Sequence, residues 1–379
     1  MTKIYTAIGT MSGTSLDGID FSIIQTDGEN HLSLAGNNYL EFSNNLKQKI
    51  RRIKSKITST NECKKVIKGN EYKELSNEIT MYHQEGMKQI AGYDGGIPID
   101  VIGFHGITLW HKPADRYTHQ IGDAHLLKES IIKYKNLKNT EIIFNFREND
   151  ILNGGQGAPL TPLYHKALMK HLKIADPRLI VNIGGITNAT YLNKGNIFAT
   201  DIGPGNCLID QWIKKNFSRD FDKGGKISLE GKNNQNLADN FLNKLKKNKN
   251  ISYDTSDFDL SEFNELDPKD GAATLSYITA KAILNFAKDL DLKRIIVSGG
   301  GRLNQAILNN LKKDRFNISL IDEVKFSQDD AQVFYLNGDF IESQAFAYLA
   351  IRSFLNLPIS FPETTGVNKI CTGGVVVKN

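Results

Sequence analysis

Two acidic side chains stand where they could do chemistry. Asp201 follows the apolar stretch 196–200 and precedes Gly203 and Pro204, so its carboxylate is expected at the end of a strand. An aspartate there often only caps the following turn. It can equally act as a general base, the main chemical task that phosphoryl transfer leaves to the protein. Glu342 begins a predicted helix, where the helix dipole alone accounts for a carboxylate.

Three further polar residues follow predicted buried strands in the first half of the chain. His105 ends one of them, and both a packed histidine and a ligand contact fit that position. Arg147 and Asp150 follow the next buried strand, 141–146. They fit either a structural ion pair or an anchor for an acidic group of a substrate, and the sequence leaves both readings open.

Three glycine turns could bind a nucleotide. They are the turn between two strands at Gly9–Gly18, the turn at 201–205, and Gly299–Gly301 after a buried strand. Glycine leaves backbone N–H groups accessible to an anion, and one such turn alone is weak evidence. The first turn lacks the Gly-Lys-Ser/Thr ending of a P-loop and leads into a strand, so a P-loop is excluded.

Composition limits the class of protein. The chain has 379 residues and a net charge of +5, with 40% apolar residues, and this length favours two domains. The basic patches 47–56 and 244–249 contain no aromatic residues, which argues against nucleic acid. Three widely spaced cysteines, no signal-like start and no apolar run of about 18 residues predict a cytoplasmic protein without a membrane partner.

The order of predicted elements indicates a duplication. Each half begins with a strand, a glycine-rich turn and a second strand, and continues through a meander into alternating helices and strands. Residues 107–120 are expected to form a loop. This favours an α/β, two-lobed actin/hexokinase-like fold, a duplicated ribonuclease H-like unit with a central cleft. The predicted first lobe is 1–150 and the second 151–379, and it stays open whether the tail from about 357 packs back onto the first.

Several motifs, in one order along nearly the whole chain, carry a family resemblance. They are 11–20 (Met-Ser-Gly-Thr-Ser-Leu-Asp-Gly-Ile-Asp), 103–106, 120–123, 154–160, 182–186, 201–206, 270–275 and 342–350. The chain resembles the anhydro-N-acetylmuramic acid kinases of bacterial cell-wall recycling. Ile202, where many members carry Thr, and Val367, where Ala is usual, depart from the pattern without removing a functional group.

The resemblance implies an activity and site residues. The family uses ATP, here with Mg²⁺, and water to open 1,6-anhydro-N-acetylmuramic acid and phosphorylate O6, giving N-acetylmuramic acid 6-phosphate. Asp201 matches the catalytic aspartate and Glu342 a sugar-binding glutamate, to which we add His105 and Arg147 as sugar-binding candidates by position. Together with the glycine turns, the expected nucleotide-binding residues are Gly13, Thr14, Ser15, Leu16, Asp17, Gly18, Ile19, Asp20, Gly203, Gly299 and Gly300.

Two other functions stay open at this stage. One is a kinase for an ordinary amino sugar, and the other is a non-catalytic actin-like nucleotide switch. The expected partner is a small sugar, and a homodimer is allowed. The sequence does not identify metal ligands.

Overall fold

The fold was analysed in a computed structural model that describes residues 3–13, 16–92, 96–174, 177–245, 253–328 and 332–378. The strands are β1 (Tyr5–Met11), β2 (Gly18–Thr26), β3 (Leu32–Glu41), β4 (Val101–Gly103), β5 (Ile107–Lys112), β6 (Tyr117–Ile121), β7 (Glu141–Phe144), β8 (Arg178–Ile183), β9 (Ile186–Asn193), β10 (Asn196–Pro204), β11 (Arg294–Ser298), β12 (Asn317–Leu320), β13 (Lys325–Gln328), β14 (Gln332–Tyr335) and β15 (Val375–Val376).

Helices connect and cover these strands. The α-helices are α1 (Asn44–Ser55), α2 (Thr60–Val66), α3 (Asn70–Ala91), α4 (Ala124–Ile131), α5 (Glu148–Leu152), α6 (Pro162–His171), α7 (Cys207–Phe217), α8 (Lys226–Glu230), α9 (Gln235–Asn243), α10 (Pro268–Ala287), α11 (Gln305–Leu311), α12 (Ile341–Phe354) and α13 (Pro362–Thr365). Single 3-10 turns lie at Pro113–Asp115, Lys223–Gly225, Thr255–Asp257, Ser261–Phe263, Gly300–Leu303, Ile321–Glu323 and Gly338–Phe340.

The two main sheets share one topology. The first has the order β15-β7-β4-β1-β2-β3, in which β1, β2 and β3 form an antiparallel meander and β4 and β7 add in parallel beside β1. The second has the order β10-β9-β8-β11-β12, with the meander β8–β10 and two parallel strands beside β8. A meander extended by two parallel strands is the ribonuclease H-like arrangement, so the predicted duplicated fold is confirmed.

The chain divides into two compact units. The first unit comprises Met1–His171 and Phe340–Asn379, and the second unit comprises Leu172–Asp339. These bounds differ from the predicted lobes, because 151–171 and the whole segment after 339 belong to the first unit. Each unit has its own apolar core, which includes Phe21 and Ile102 in the first and Trp212 and Val297 in the second.

Close backbone packing explains why α12 belongs to the first unit. A Cβ atom on Gly9 of β1 would lie 2.0 Å from the carbonyl oxygen of Ser343, and one on Gly103 of β4 would lie 2.4 Å from that of Phe346. Both positions therefore require glycine for the helix to reach the sheet. Among the described residues, no helix is long and apolar enough to cross a bilayer.

Candidate active site

Asp201 lies at a bulge inside β10. Asp201 pairs with Asn188 of β9, but the next paired residue is Gly203 with Thr187, so Ile202 is the additional residue. The strand expected to end at 200 therefore continues to Pro204. A bulge bends a strand and redirects the neighbouring side chains, which gives Asp201 an orientation that a regular strand would not.

The Asp201 carboxylate is partly buried and has one backbone donor. Its Oδ2 accepts a hydrogen bond of 2.9 Å from the N–H of Tyr253. Burial raises the pKa of Asp201 to about 7, and this hydrogen bond offsets only part of the effect. A carboxylate with this pKa is ionised in part of the molecules at neutral pH and accepts a proton far more readily than an exposed aspartate.

Glycine-rich backbone segments pack closely together at the ends of β8 and β11 in the second unit. Gly299 has a left-handed φ of 77°, and a Cβ atom there would lie 2.2 Å from Oδ1 of Asn182. A Cβ atom on Gly205 would lie 2.2 Å from the carbonyl oxygen of Gly184, which also accepts a 2.8 Å hydrogen bond from the N–H of Asn206. These turns therefore pack on one another through backbone, and only glycine fits at 205 and 299.

Gly203 has a different setting from the one expected. It is a buried residue of β10 paired with Thr187, not part of a turn. A Cβ atom there would lie 3.1 Å from the Leu245 side chain, which follows α9, and 3.8 Å from Cβ of Ala282 in α10. The turn begins at Gly205, so the predicted turn at 201–205 coincides with the observed turn only at its last residue.

The first hairpin turn is described in part, since Thr14 and Ser15 lie outside the described residues. Leu16 has a φ of 60° and donates its N–H to the carbonyl of Gly13 at 3.2 Å, and its side chain is buried. Ile19 is fully buried in the core, so its side chain shapes the turn and does not face a ligand.

Other residues of this turn differ in exposure. Asp17 is exposed, and Gly13 and Asp20 are partly buried. A Cβ atom on Gly18 would lie 2.4 Å from the carbonyl oxygen of Leu40, so that glycine permits the pairing of β2 with β3. The hydroxyl of Ser12, which sequence reasoning missed, is buried without a hydrogen-bond partner in the part of the chain that the structure describes. Its place beside Gly13 was the signal that could have identified it.

His105 and Arg147 form a cluster in the first unit. The Nε and Nη2 atoms of Arg147 lie 3.2 and 3.0 Å from Nε2 of His105, which accepts a hydrogen bond from each. Nδ1 of His105 lies 2.9 Å from the carbonyl oxygen of Gly106, so we assign the ring proton to Nδ1. Both ring nitrogens are thus engaged within the protein, and burial beside Arg147 lowers the pKa of His105 well below its usual value. Neither nitrogen remains to bind a sugar.

Arg147 is directed by a second acceptor and shares its environment with Glu342. Its Nη1 donates to the carbonyl oxygen of Gly157 at 2.7 Å. Burial lowers the pKa of Arg147 to about 10, an effect that Glu342 partly opposes. Burial likewise raises the pKa of Glu342, and the positive charge of Arg147 opposes that change. The two charged groups therefore stabilise each other in a site of low polarity.

Asp150 is a structural residue. Its side chain is fully buried, and Oδ1 accepts a 2.6 Å hydrogen bond from the N–H of Gly157. Its other oxygen accepts from the hydroxyl of Thr365. Asp150 therefore fixes the loop that supplies the Gly157 carbonyl to Arg147, which decides against a direct anchor for a substrate.

Comparison with known proteins identifies the family. The family model described as anhydro-N-acetylmuramic acid kinase matches residues 5–379. Proteins of that name from Pelagibacter ubique (strain HTCC1062) and Agrobacterium fabrum (strain C58 / ATCC 33970) are 40% and 37% identical over 397 and 392 residues, each covering 100% of both chains. The chain belongs to the anhydro-N-acetylmuramic acid kinase family.

Family membership confirms the predicted activity. The chain is an ATP-dependent sugar kinase, and the ordinary amino-sugar kinase and the non-catalytic switch are not favoured. A ROK family glucokinase from Streptomyces griseus, solved with glucose and AMPPNP, aligns with a TM-score of 0.40 and 10% identity over 91% of this chain and 99% of that one. A similarity this distant supports no conclusion about the site.

The predicted site residues of this anhydro-N-acetylmuramic acid kinase family member fall into two groups. Glu342, His105 and Arg147 lie close together in the first unit. The described residues of the first hairpin turn also belong to this unit. Asp201, Gly203, Gly299 and Gly300 belong to the second unit. Gly184 and Asn206 were not predicted as site residues, although their motifs carried the family resemblance, and Gly205 was predicted only as part of the turn 201–205.

A resident metal cage is absent from the described ranges. No group of three or more His, Cys, Asp or Glu side chains is arranged there to bind a metal ion. A metal that reaches this enzyme on its nucleotide requires no such cage, because Mg²⁺ commonly keeps several waters and binds to phosphates.

Proposed function

We propose that Asp201 is the general base in the hydrolytic phosphorylation of 1,6-anhydro-N-acetylmuramic acid. Asp201 takes a proton from water, and the water oxygen bonds to C1 of the sugar. The C1–O6 bond breaks, and its electron pair stays on O6. O6 then bonds to the γ-phosphorus of ATP as ADP leaves, which gives N-acetylmuramic acid 6-phosphate.

The state of O6 explains why the base must act on water. In an ordinary sugar kinase the base removes the proton of the attacking hydroxyl. In the anhydro sugar O6 is bonded to C1 and has no proton to lose. The buried position of Asp201 at the bulge of β10, with a backbone donor at Tyr253 and a pKa raised to about 7 by burial, supports this role most strongly.

The sugar side of the proposal rests on the cluster in the first unit. We assign Glu342 and the guanidinium of Arg147 as the groups that bind the sugar. We assign His105 a supporting role, because both of its nitrogens are already hydrogen-bonded within the protein. Arg147 keeps N–H groups beyond those used by His105 and Gly157, since a guanidinium has five donors.

The nucleotide side rests on accessible backbone. Gly13 and the turn that contains Thr14 and Ser15 are assigned to the phosphates, and Gly299 and Gly300 to the nucleoside. Preorganised N–H donors stabilise charge that develops during the transfer. ATP enters as its Mg²⁺ complex, and the ion neutralises phosphate charge.

Location and assembly complete the proposal. A cytoplasmic location agrees with the need for ATP and with three cysteines that are all free thiols. The homodimer stays a prediction, which sedimentation of the purified chain would test.

Turnover in ¹⁸O-labelled water tests the reaction. We expect the sugar phosphate to gain one labelled oxygen at C1 and none in its phosphate group. Because the C1 hydroxyl of the product exchanges with water, unlabelled product incubated for the same time provides the background. Label in the phosphate group, or none at C1 above background, would contradict the proposal. N-acetylglucosamine is the substrate control, and we expect its phosphorylation to be negligible.

A further inference from the structure

Arg302 is a buried cation that the reaction above does not use. It lies in the 3-10 turn Gly300–Leu303 and is 3% exposed. Its Nε and Nη2 donate to the two carboxylate oxygens of Asp322, at 2.6 and 3.1 Å. Its Nη1 donates to Oδ1 of Asp339 at 2.7 Å and to the carbonyl oxygen of Gly299 at 3.1 Å. Four of the five guanidinium protons thus have acceptors.

These acceptors belong to three separate segments. Gly299 begins the glycine turn, Asp322 lies in the 3-10 turn after β12, and Asp339 lies in the 3-10 turn that precedes α12. The last segment packs directly on the guanidinium, since a Cβ atom on Gly338 would lie 2.5 Å from Nε of Arg302. The N–H of Gly338 also donates to Asp322 at 3.0 Å. One side chain therefore joins the glycine turn to the segment 338–339.

That segment is where the chain leaves the second unit. Asp339 is the last residue of the second unit, and Phe340 is the first residue of the returning part of the first unit. Helix α12 begins at Ile341, and Glu342 lies in its first turn. The start of the helix is fixed locally as well, since the hydroxyl of Ser343 donates to the carbonyl of Phe340 at 3.0 Å.

We infer that Arg302 is a positioning residue that couples nucleotide binding to sugar binding. This inference rests on the proposed function, in which Gly299 and Gly300 bind ATP and Glu342 binds the sugar. A nucleotide that packs on the glycine turn fixes the Gly299 carbonyl, and Arg302 then fixes Asp339 and the start of α12. Such coupling is reciprocal, and each ligand raises the affinity of the other by the same factor.

Asp339 provides the sharpest test, because changing Arg302 would leave two carboxylates without their buried partner. The Asp339 side chain is about half exposed, at 53%, so Asp339→Asn and Asp339→Ala should fold. Calorimetry of 1,6-anhydro-N-acetylmuramic acid with and without a non-hydrolysable ATP analogue gives the coupling factor, the ratio of the two Kd values. We expect a factor of about 5–150 in the unmodified chain and within about twofold of one in both variants.

A control variant and the sugar Kd without nucleotide distinguish a loss of coupling from general damage to the protein. Glu262→Gln, which removes an exposed ion pair with Lys244 in the same unit, should keep the full coupling factor. The sugar Kd without nucleotide should change less than about twofold in the Asp339 variants, whereas general damage would weaken it. Full coupling in those variants, or none in the unmodified chain, would overturn the inference and leave the proposed function intact. If the unmodified chain bound no sugar at all, the proposed function itself would fail.

Discussion

The two units share one strand order and differ in the groups that they present for chemistry. Apart from the first hairpin turn, the first unit provides side chains, namely a guanidinium and a carboxylate supported by His105. The second provides backbone at Gly205 and Gly299 and one isolated acid, Asp201. The same scaffold therefore hosts two kinds of site, and the difference lies in its loops and strand ends.

The charged site residues of the two units also differ in how the effect of burial on their pKa is compensated. In the first, Arg147 and Glu342 oppose the effect of burial on each other's pKa. In the second, burial acts on Asp201 and only a backbone N–H opposes it. Paired charges favour binding at a fixed protonation state, whereas an acid without such compensation is suited to exchanging a proton. This difference agrees with the proposed roles, in which the first unit binds the sugar and the second unit supplies the general base.

Replacing the isolated acid should have the largest effect. In Asp201→Asn we expect kcat to fall by about 10²–10⁴, because the general base is lost, while the Kd values for sugar and nucleotide change less than about twofold. Asp220→Asn, an exposed aspartate in the same unit, is the control and should keep full kcat. A near-normal kcat in Asp201→Asn would show that Asp201 of the second unit is not the general base.

Removing the carboxylate of the first unit should act on binding. In Glu342→Ala we expect KM for the sugar to rise about 10- to 100-fold, which is the scale of a lost hydrogen bond to a charged group, with KM for ATP little changed. Steady-state kinetics with each substrate varied measures both. An unchanged sugar KM would limit Glu342 to stabilising the start of α12.

The support for Arg147 can be tested by paired substitutions. His105→Leu removes the acceptor for two guanidinium protons, and we expect KM for the sugar to rise about tenfold. His105→Gln keeps an acceptor oxygen and should recover most of the affinity. If both variants behaved alike, His105 would act only through packing against Phe346.

The pH dependence should be the smallest effect. Since only ionised Asp201 can take a proton, kcat/KM should rise with pH through about 7. We expect it to be about fourfold higher at pH 8 than at pH 6.5. A flat profile in this range would contradict the assignment of the base.

The same pKa predicts a cost in stability. A carboxyl group whose pKa is raised by folding contributes its full stability at low pH, and the contribution is lost as the pH rises from about 4 through about 7. The free energy of unfolding of Asp201→Asn minus that of the unmodified chain, measured in urea, should therefore be larger at pH 8 than at pH 5. If the free energies of unfolding of the two proteins changed in parallel with pH, the pKa of Asp201 would not be raised by folding.

Much of the fold could be predicted because its signals are local. Two strand–turn–strand openings indicated the duplication, and the structure has the same meander at β1–β3 and β8–β10. Residues 107–120 were wrongly expected to be loop, because Pro113 and several histidines obscured the pattern of the antiparallel pair β5 and β6. The unit to which α12 belongs was also missed, since it depends on Gly9 and Gly103, which are distant in sequence.

The candidate site was predictable as a set of residue types and less so as geometry. Asp201 was expected at a strand end, but the bulge arises from the register with β9, which no local pattern encodes. The engagement of both His105 nitrogens depends on Arg147 and on the Gly106 carbonyl, contacts that require the folded chain. Sequence therefore indicates which groups are present, and the pairing of strands determines which of their atoms remain available.

The first unit encloses the second along the chain, and this has a consequence for synthesis. Strand β15 and helix α12, which complete the first sheet and cover it, come after residue 339. By the time α12 and β15 have emerged from the ribosome, the complete second unit has already emerged and can form its core. The first unit must wait until β15 has been translated, so deletion of β15 should damage the first unit and spare the second.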